Sequence, residues 1–175
     1  PKHPEKTLHR DPSPDEPLCA LAFKIVFDSH GDLTFVRVYS GVLEQGMGLW
    51  NPRLAKHERA MRLLRMHANE REPIEKAVAG DIVALVGLKE TATGDTLCDR
   101  KAPIVLEAMH FPEPVMSMRI EPKTNADRDR LTAGLATLAR EDPTFRVKIS
   151  PDTGETLIEG MGELVRRTHR ARQVD

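Results

Sequence analysis

Apolar and polar positions in this chain first follow the two-residue period of strands and only later the longer period of a helix. Residues 1–17 follow neither. Pro, Asp, Glu, Lys and His dominate there, and the segment is expected to be a linker or N-terminal arm. The run Leu18–Phe27 is apolar and rich in β-formers, which predicts a buried strand. His30-Gly31-Asp32 marks a turn and Leu33–Ser40 resumes as a second strand, so the two predict a hairpin. Gly41, Gly46 and Gly48 punctuate the next stretch, and the pairs Gly80-Asp81 and Gly94-Asp95 recur later. Ala77–Leu88 is expected to be one apolar strand opened by the Gly80-Asp81 turn. Short strands separated by such turns predict a closed or nearly closed β-barrel over residues 18–110.

One stretch conflicts with that pattern. Arg53–Met66 has the propensity of a basic amphipathic helix, and the adjacent Leu63 and Leu64 break strand alternation. Periodicity alone leaves helix and strand open here.

Pro103, Pro112 and Pro114 surround a short acidic segment that marks a domain boundary. Beyond it, residues 111–175 have a mixed pattern. Val115–Glu121 alternates as a half-buried strand. Thr124-Asn125-Ala126-Asp127 has the form of a capping box, with Thr124 accepting from the Asp127 amide and Asp127 reaching back. Leu131, Leu135 and Leu138 follow at helical spacing, and Asp142-Pro143 stops the helix. Phe145–Ile149 and Glu155–Glu159 are predicted strands joined through Pro151-Asp152-Thr153-Gly154, and a second helix is expected from Glu163. Strand, helix, strand, strand, helix is most of a ferredoxin-like split β-α-β domain, whose last strand would fall beyond Asp175. The fold class is therefore mixed, a β-barrel followed by an incomplete α+β domain.

Composition narrows the chemistry. The 26 basic and 27 acidic residues nearly cancel, so any nucleic-acid contact must come from local patches. The two cysteines, Cys19 and Cys98, lie far apart in sequence with no Cys or His at metal-ligand spacing. Each is expected to be a reduced, buried thiol in a cytosolic protein. No apolar run has membrane-spanning length. The absence of an initiator Met and the basic stretch ending at Asp175 suggest an internal piece of something larger.

No Gly-x-x-x-x-Gly-Lys-Ser/Thr is present to cradle phosphates or hold Mg²⁺, and the seven histidines form no zinc pattern. No catalytic, cofactor-binding or metal-binding residue is expected. The basic series Arg53, Lys56, Arg59, Arg62 and Arg65 recurs every three residues and is either a solvated face or a line of phosphate contacts. Lys24 and Arg37 are further candidates on neighbouring strands.

Several phrases, in order, resemble translation elongation factor G. They are Asp15-Glu16-Pro17 with Ala20–Lys24, then Leu33–Gly41, Met66–Asn69, Ala79–Ile82, Thr93–Leu97, Phe111–Val115, Glu121–Thr124, Glu141–Phe145 and Gly160–Leu164. The resemblance covers nearly the whole chain and decides for a strand from about Arg59. It departs at Gln45–Gly48 and again at Val165, where the family usually has His, followed by the basic residues 166–172.

The resemblance implies the family's domain II barrel followed by part of its domain III. The parent would be a ribosomal translocase whose GTP and Mg²⁺ sit in a separate G domain and which drives tRNA and mRNA movement. The barrel would meet small-subunit ribosomal RNA and protein, with Lys24, Arg37, Lys56, Arg59 and Arg62 as candidate RNA contacts. His67, Thr144 and Glu163 would mark an interdomain and fusidic-acid region. The expected partners are the ribosome and the protein's own remaining domains, in a cytoplasmic monomer with no membrane contact. The alternatives are the same segment of a recycling or ribosomal-protection relative, or a free-standing RNA-binding barrel module.

Overall fold

The computed structural model describes residues 8–28, 31–67, 70–106, 111–122, 124–151 and 154–161. The chain divides into two units, residues 1–108 and 109–175.

The first unit opens with β1 (Cys19–Asp28) and β2 (Gly31–Ser40). They pair antiparallel from Cys19↔Ser40 to Asp28↔Gly31, with a register shift between Ala22 and Lys24. Gly31-Asp32, expected in the turn, already belongs to β2, and Gly31 holds φ 113°. Next come β3 (Val42–Glu44), β4 (Gly48–Asn51), β5 (Lys56–Arg59), β6 (Arg62–His67) and β7 (Glu70–Ile74). The unit closes with β8 (Lys76–Val78), β9 (Ile82–Val86) and β10 (Thr96–Cys98).

Eight of these form one sheet in the order β5-β4-β10-β1-β2-β9-β6-β7, while β3 pairs with β8. β5 is at one edge and β6 is next to the other, yet only Ala60 and Met61 join them. The sheet must therefore roll up, and this short corner is the seam. Ala60 N donates to Met47 O (3.0 Å) on one side, and Met61 N donates to Val86 O (3.0 Å) on the other. The closed interior holds Val36, Val38, Leu43, Leu49, Leu63, Leu85 and Leu97, all fully buried. Closure leaves few free edges for pairing with another chain.

Two expectations are corrected. Arg53–Met66 contains two strands, the first beginning at Lys56 rather than Arg59, and the corner at Ala60-Met61 accounts for its broken alternation. Leu63 and Leu64 are both buried because they face opposite sides of the sheet, Leu63 in the interior and Leu64 in an outer cluster with Leu33 and Ala84. Ala77–Leu88 is two strands, with Gly80-Asp81 as the turn between them. Gly80 at φ 97° supplies the left-handed backbone, and the Asp81 carboxylate accepts from Val78 N (2.8 Å).

The second unit contains β11 (Met116–Ile120), α1 (Asn125–Glu141), β12 (Arg146–Ile149) and β13 (Thr156–Gly160). Its sheet order is β11-β13-β12, antiparallel throughout. β11 and β12 are thus split by β13, the arrangement of a split β-α-β unit. Thr124 caps α1 by accepting from Asp127 N (3.3 Å). The Asp127 carboxylate accepts from the Thr124 hydroxyl (2.6 Å) rather than from the cap backbone. Leu135 is buried with Ile120, Phe145 and Ile158, and Leu131 and Leu138 pack beside them. The helix expected from Glu163 lies outside the described residues.

Candidate nucleic-acid interface

Strand alternation decides where the candidate cations point. Val36, Val38, Leu63 and Leu85 face the barrel interior, so Phe35, Arg37, Arg62, Leu64, Ala84 and Val86 face outward. The register shift at Phe23 places Lys24 opposite Phe35, on the same outer face. Across the strands, Lys24 leads through Phe35 and Ala84 to Leu64, and Leu33 leads through Val86 to Arg62. Arg37 sits one step along β2 between Leu21 and Ile82.

Lys24, Arg37 and Arg62 therefore share one surface. Lys24 and Arg62 stand on strands three spacings apart, roughly 14 Å. Between the cations lies an apolar patch of Leu33, Phe35, Leu64, Met66 and Val86, with the Phe23 ring centroid 6.4 Å from that of Phe35. The Arg37 guanidinium lies 5.4 Å from the Tyr39 ring centroid, which holds it against the sheet at little desolvation cost.

Lys56 and Arg59 are held differently. Both are on β5, and both are engaged: Lys56 Nζ bonds both Glu90 carboxylate oxygens (2.8 and 2.6 Å), and Arg59 Nε donates to Gly46 O (2.8 Å). Arg53 is more firmly committed. It forms a two-pronged contact with Asp95, which also accepts from Asn51 Nδ2 (2.9 Å) and Ala92 N (2.9 Å). Asp95 is only 4% exposed, so the pairing compensates a buried carboxylate; its hydrogen bond and then its charge raise the Arg53 pKa against partial desolvation. Glu58, the acid that interrupts the basic series, accepts from the backbone N–H groups of Lys89, Glu90 and Thr91 and pins that loop to β5. The three-residue period thus spans two strands and a corner, and its members have different work.

His67 ends β6, with Nε2 3.6 Å from a Glu72 carboxylate oxygen. Thr144 belongs to the second unit, where its N–H and hydroxyl both donate to Asp142 Oδ1 (2.8 and 2.6 Å), shaping the turn from α1 into β12. Glu163 lies outside the described residues. Sequence reasoning missed the cluster of Trp50, His57 and Arg100. The Trp50 and His57 rings meet edge to face at 5.0 Å, and Arg100 lies 5.3 Å from the Trp50 ring centroid. No local signal announces it, because β4, β5 and the loop after β10 supply one residue each.

Residues 31–98 match the family Elongation factor Tu domain 2, and residues 111–166 match Elongation Factor G, domain III. A crystal structure of a protein from Thermus thermophilus superposes with a TM-score of 0.74 at 28% identity. The match covers 89% of this chain and 24% of that one, so the chain spans about a quarter of its length. The chain thus joins, in this order, a rolled barrel that matches an EF-Tu-type domain 2 and a split β-α-β unit that matches EF-G domain III, and it resembles a fragment of a translational GTPase of the elongation-factor type.

Proposed function

We propose that this chain supplies the ribosome-facing barrel and the following relay domain of a translocase that moves tRNA and mRNA, with GTP hydrolysis carried by a separate G domain. The ordered pair of domain matches, EF-Tu-type domain 2 and then EF-G domain III, carries this reading. On the barrel, Lys24, Arg37 and Arg62 are the cations placed to meet ribosomal RNA. Phosphate contacts of this kind bind tightly, depend on salt and are blind to sequence. Lys56 and Arg59 stand second, since contact would cost them existing partners. His67, Thr144 and Glu163 are proposed for the interdomain and fusidic-acid region. No residue is assigned a catalytic, cofactor or metal role, and the protein is proposed to work as a cytoplasmic monomer.

Binding of the chain to small ribosomal subunits across a salt series tests this. Replacing Lys24, Arg37 and Arg62 together with Ala is expected to weaken binding and flatten its salt dependence, by roughly 0.7–0.9 in log–log slope per lost phosphate contact. Replacing Lys56 is expected to do less. Unchanged binding by the triple variant would overturn the assignment. Calorimetry should detect no guanine-nucleotide binding by the chain, and low-micromolar affinity would contradict a separate G domain.

A further inference from the structure

Cys19 and Cys98 are distant in sequence, but β1 and β10 set them directly opposite each other. Leu18 O accepts from Asp99 N (3.1 Å) on one side of the pair, and Ala22 N donates to Asp95 O (2.9 Å) further along. Bonded and non-bonded pairs alternate in an antiparallel ladder, so Cys19↔Cys98 is a non-hydrogen-bonded pair. In such pairs the Cα atoms lie about 4.5 Å apart and the side chains make their nearest approach. That separation is inside the range of about 4.4–6.8 Å that a disulfide requires. Directly opposed residues also share a face. Both thiols are free and fully buried in one small cluster with Ile104, and Trp50 and Leu106 pack against it.

We propose that Cys19 and Cys98 are a latent cross-strand disulfide site, closed by hydrogen peroxide and reopened by a dithiol. Both thiols are fully buried beside Ile104 and Leu106, so peroxide, a small uncharged oxidant, would reach them only when that packing opens locally. One sulfur attacks the peroxide, the O–O bond breaks, and a sulfenic acid forms as one water leaves. The second sulfur then displaces the sulfenic oxygen as a second water. Two thiols and one peroxide thus become one disulfide and two waters. Burial holds both thiols in the protonated, slow-reacting form and pushes Cys19 up to about 11, with the neighbouring Cys98 adding to the effect. The first oxidation is therefore slow, while the second step is intramolecular at contact range. The product would tie β1 to β10 and close a loop containing β2 through β9.

The test exposes the full chain to peroxide, quenches and denatures it, alkylates free thiols and maps the peptides without reduction. The expected result is a linked peptide pair containing Cys19 and Cys98, lost on dithiol treatment with recovery of two alkylatable thiols. The oxidised barrel should melt several degrees higher by Trp50 fluorescence. Cys19→Ala and Cys98→Ala should each abolish the link, and native Trp50 emission verifies their folding. Two thiols still alkylatable after prolonged exposure would overturn the proposal. So would sulfinic acid at either position without a link, or a link found only between separate chains.

Discussion

β10 is buried at every position and β12 is exposed at every position, although both are short strands with apolar residues. β10 lies between β4 and β1 inside a rolled sheet. β12 lies at the edge of a three-stranded sheet. Val147 and Ile149 share the face of Ile158 and Thr156, which turns toward α1, yet they remain 40% and 72% exposed. Burial is therefore set by what covers a strand rather than by its composition. The barrel encloses its interior apolar residues on all sides, whereas the second unit relies on a compact cluster around Ile120, Leu135, Phe145 and Ile158. β11 also has a free outer edge among the described residues. The second unit should accordingly open more readily than the barrel.

Natural probes separate the two regions. Trp50, the only tryptophan, reports on the barrel, and α1 reports on the second unit. In denaturant the helical ellipticity should be lost before the Trp50 signal changes, and hydrogen exchange should be faster in α1 and β12 than in β2 and β9. Equal protection in both regions would break the comparison. The largest single effect is expected from Leu63→Ala, which empties a fully buried barrel site and should cost about 2–5 kcal/mol in the Trp50 transition.

Gly41→Ala comes next, at about 1–3 kcal/mol. Gly41 has φ 76°, and an added Cβ would lie 2.6 Å from Leu18 backbone atoms. A wild-type-like midpoint for this variant would show that the arm against β1 can yield. A third effect comes from pH. Burial pushes the Cys19 thiol up from its ordinary value of 9.0 to about 11 in the fold. Its contribution is complete below about pH 9 and is lost as pH rises to the folded value, by at most about 1.4 kcal/mol per pH unit. The Trp50 midpoint should fall across that window, and Cys19→Ala should remove part of the slope. Smallest is Thr124→Ala, which deletes the α1 cap for about 1 kcal/mol and should move the helical transition while sparing Trp50.

Where a local rule decides the outcome, the sequence was legible. The β1–β2 pairing, the Thr124 cap, the Leu131-Leu135-Leu138 stripe and the β12–β13 pairing each follow from spacing or from a turn residue. The misreadings fall where a distant partner decides. Arg53–Met66 has helical propensity, but its backbone groups are taken up by β4, β7 and β9. Among the candidate contacts, Lys24, Arg37 and Arg62 reach one face only because a bulge at Phe23 and the register of β2, β9 and β6 align them. Lys56 and Arg59, equally basic in sequence, are diverted by Glu90 and Gly46.

By itself, then, the amino-acid order determined the element types with strong period or capping, the sequence of a barrel and an α+β unit, and the family resemblance. Tertiary structure alone decided which cations share a surface, that Trp50, His57 and Arg100 meet, and that two cysteines separated by most of the barrel stand face to face. The reason is physical. Helix period, turns and caps depend on neighbours a few residues apart, whereas closure of a sheet joins strands that no local interaction connects.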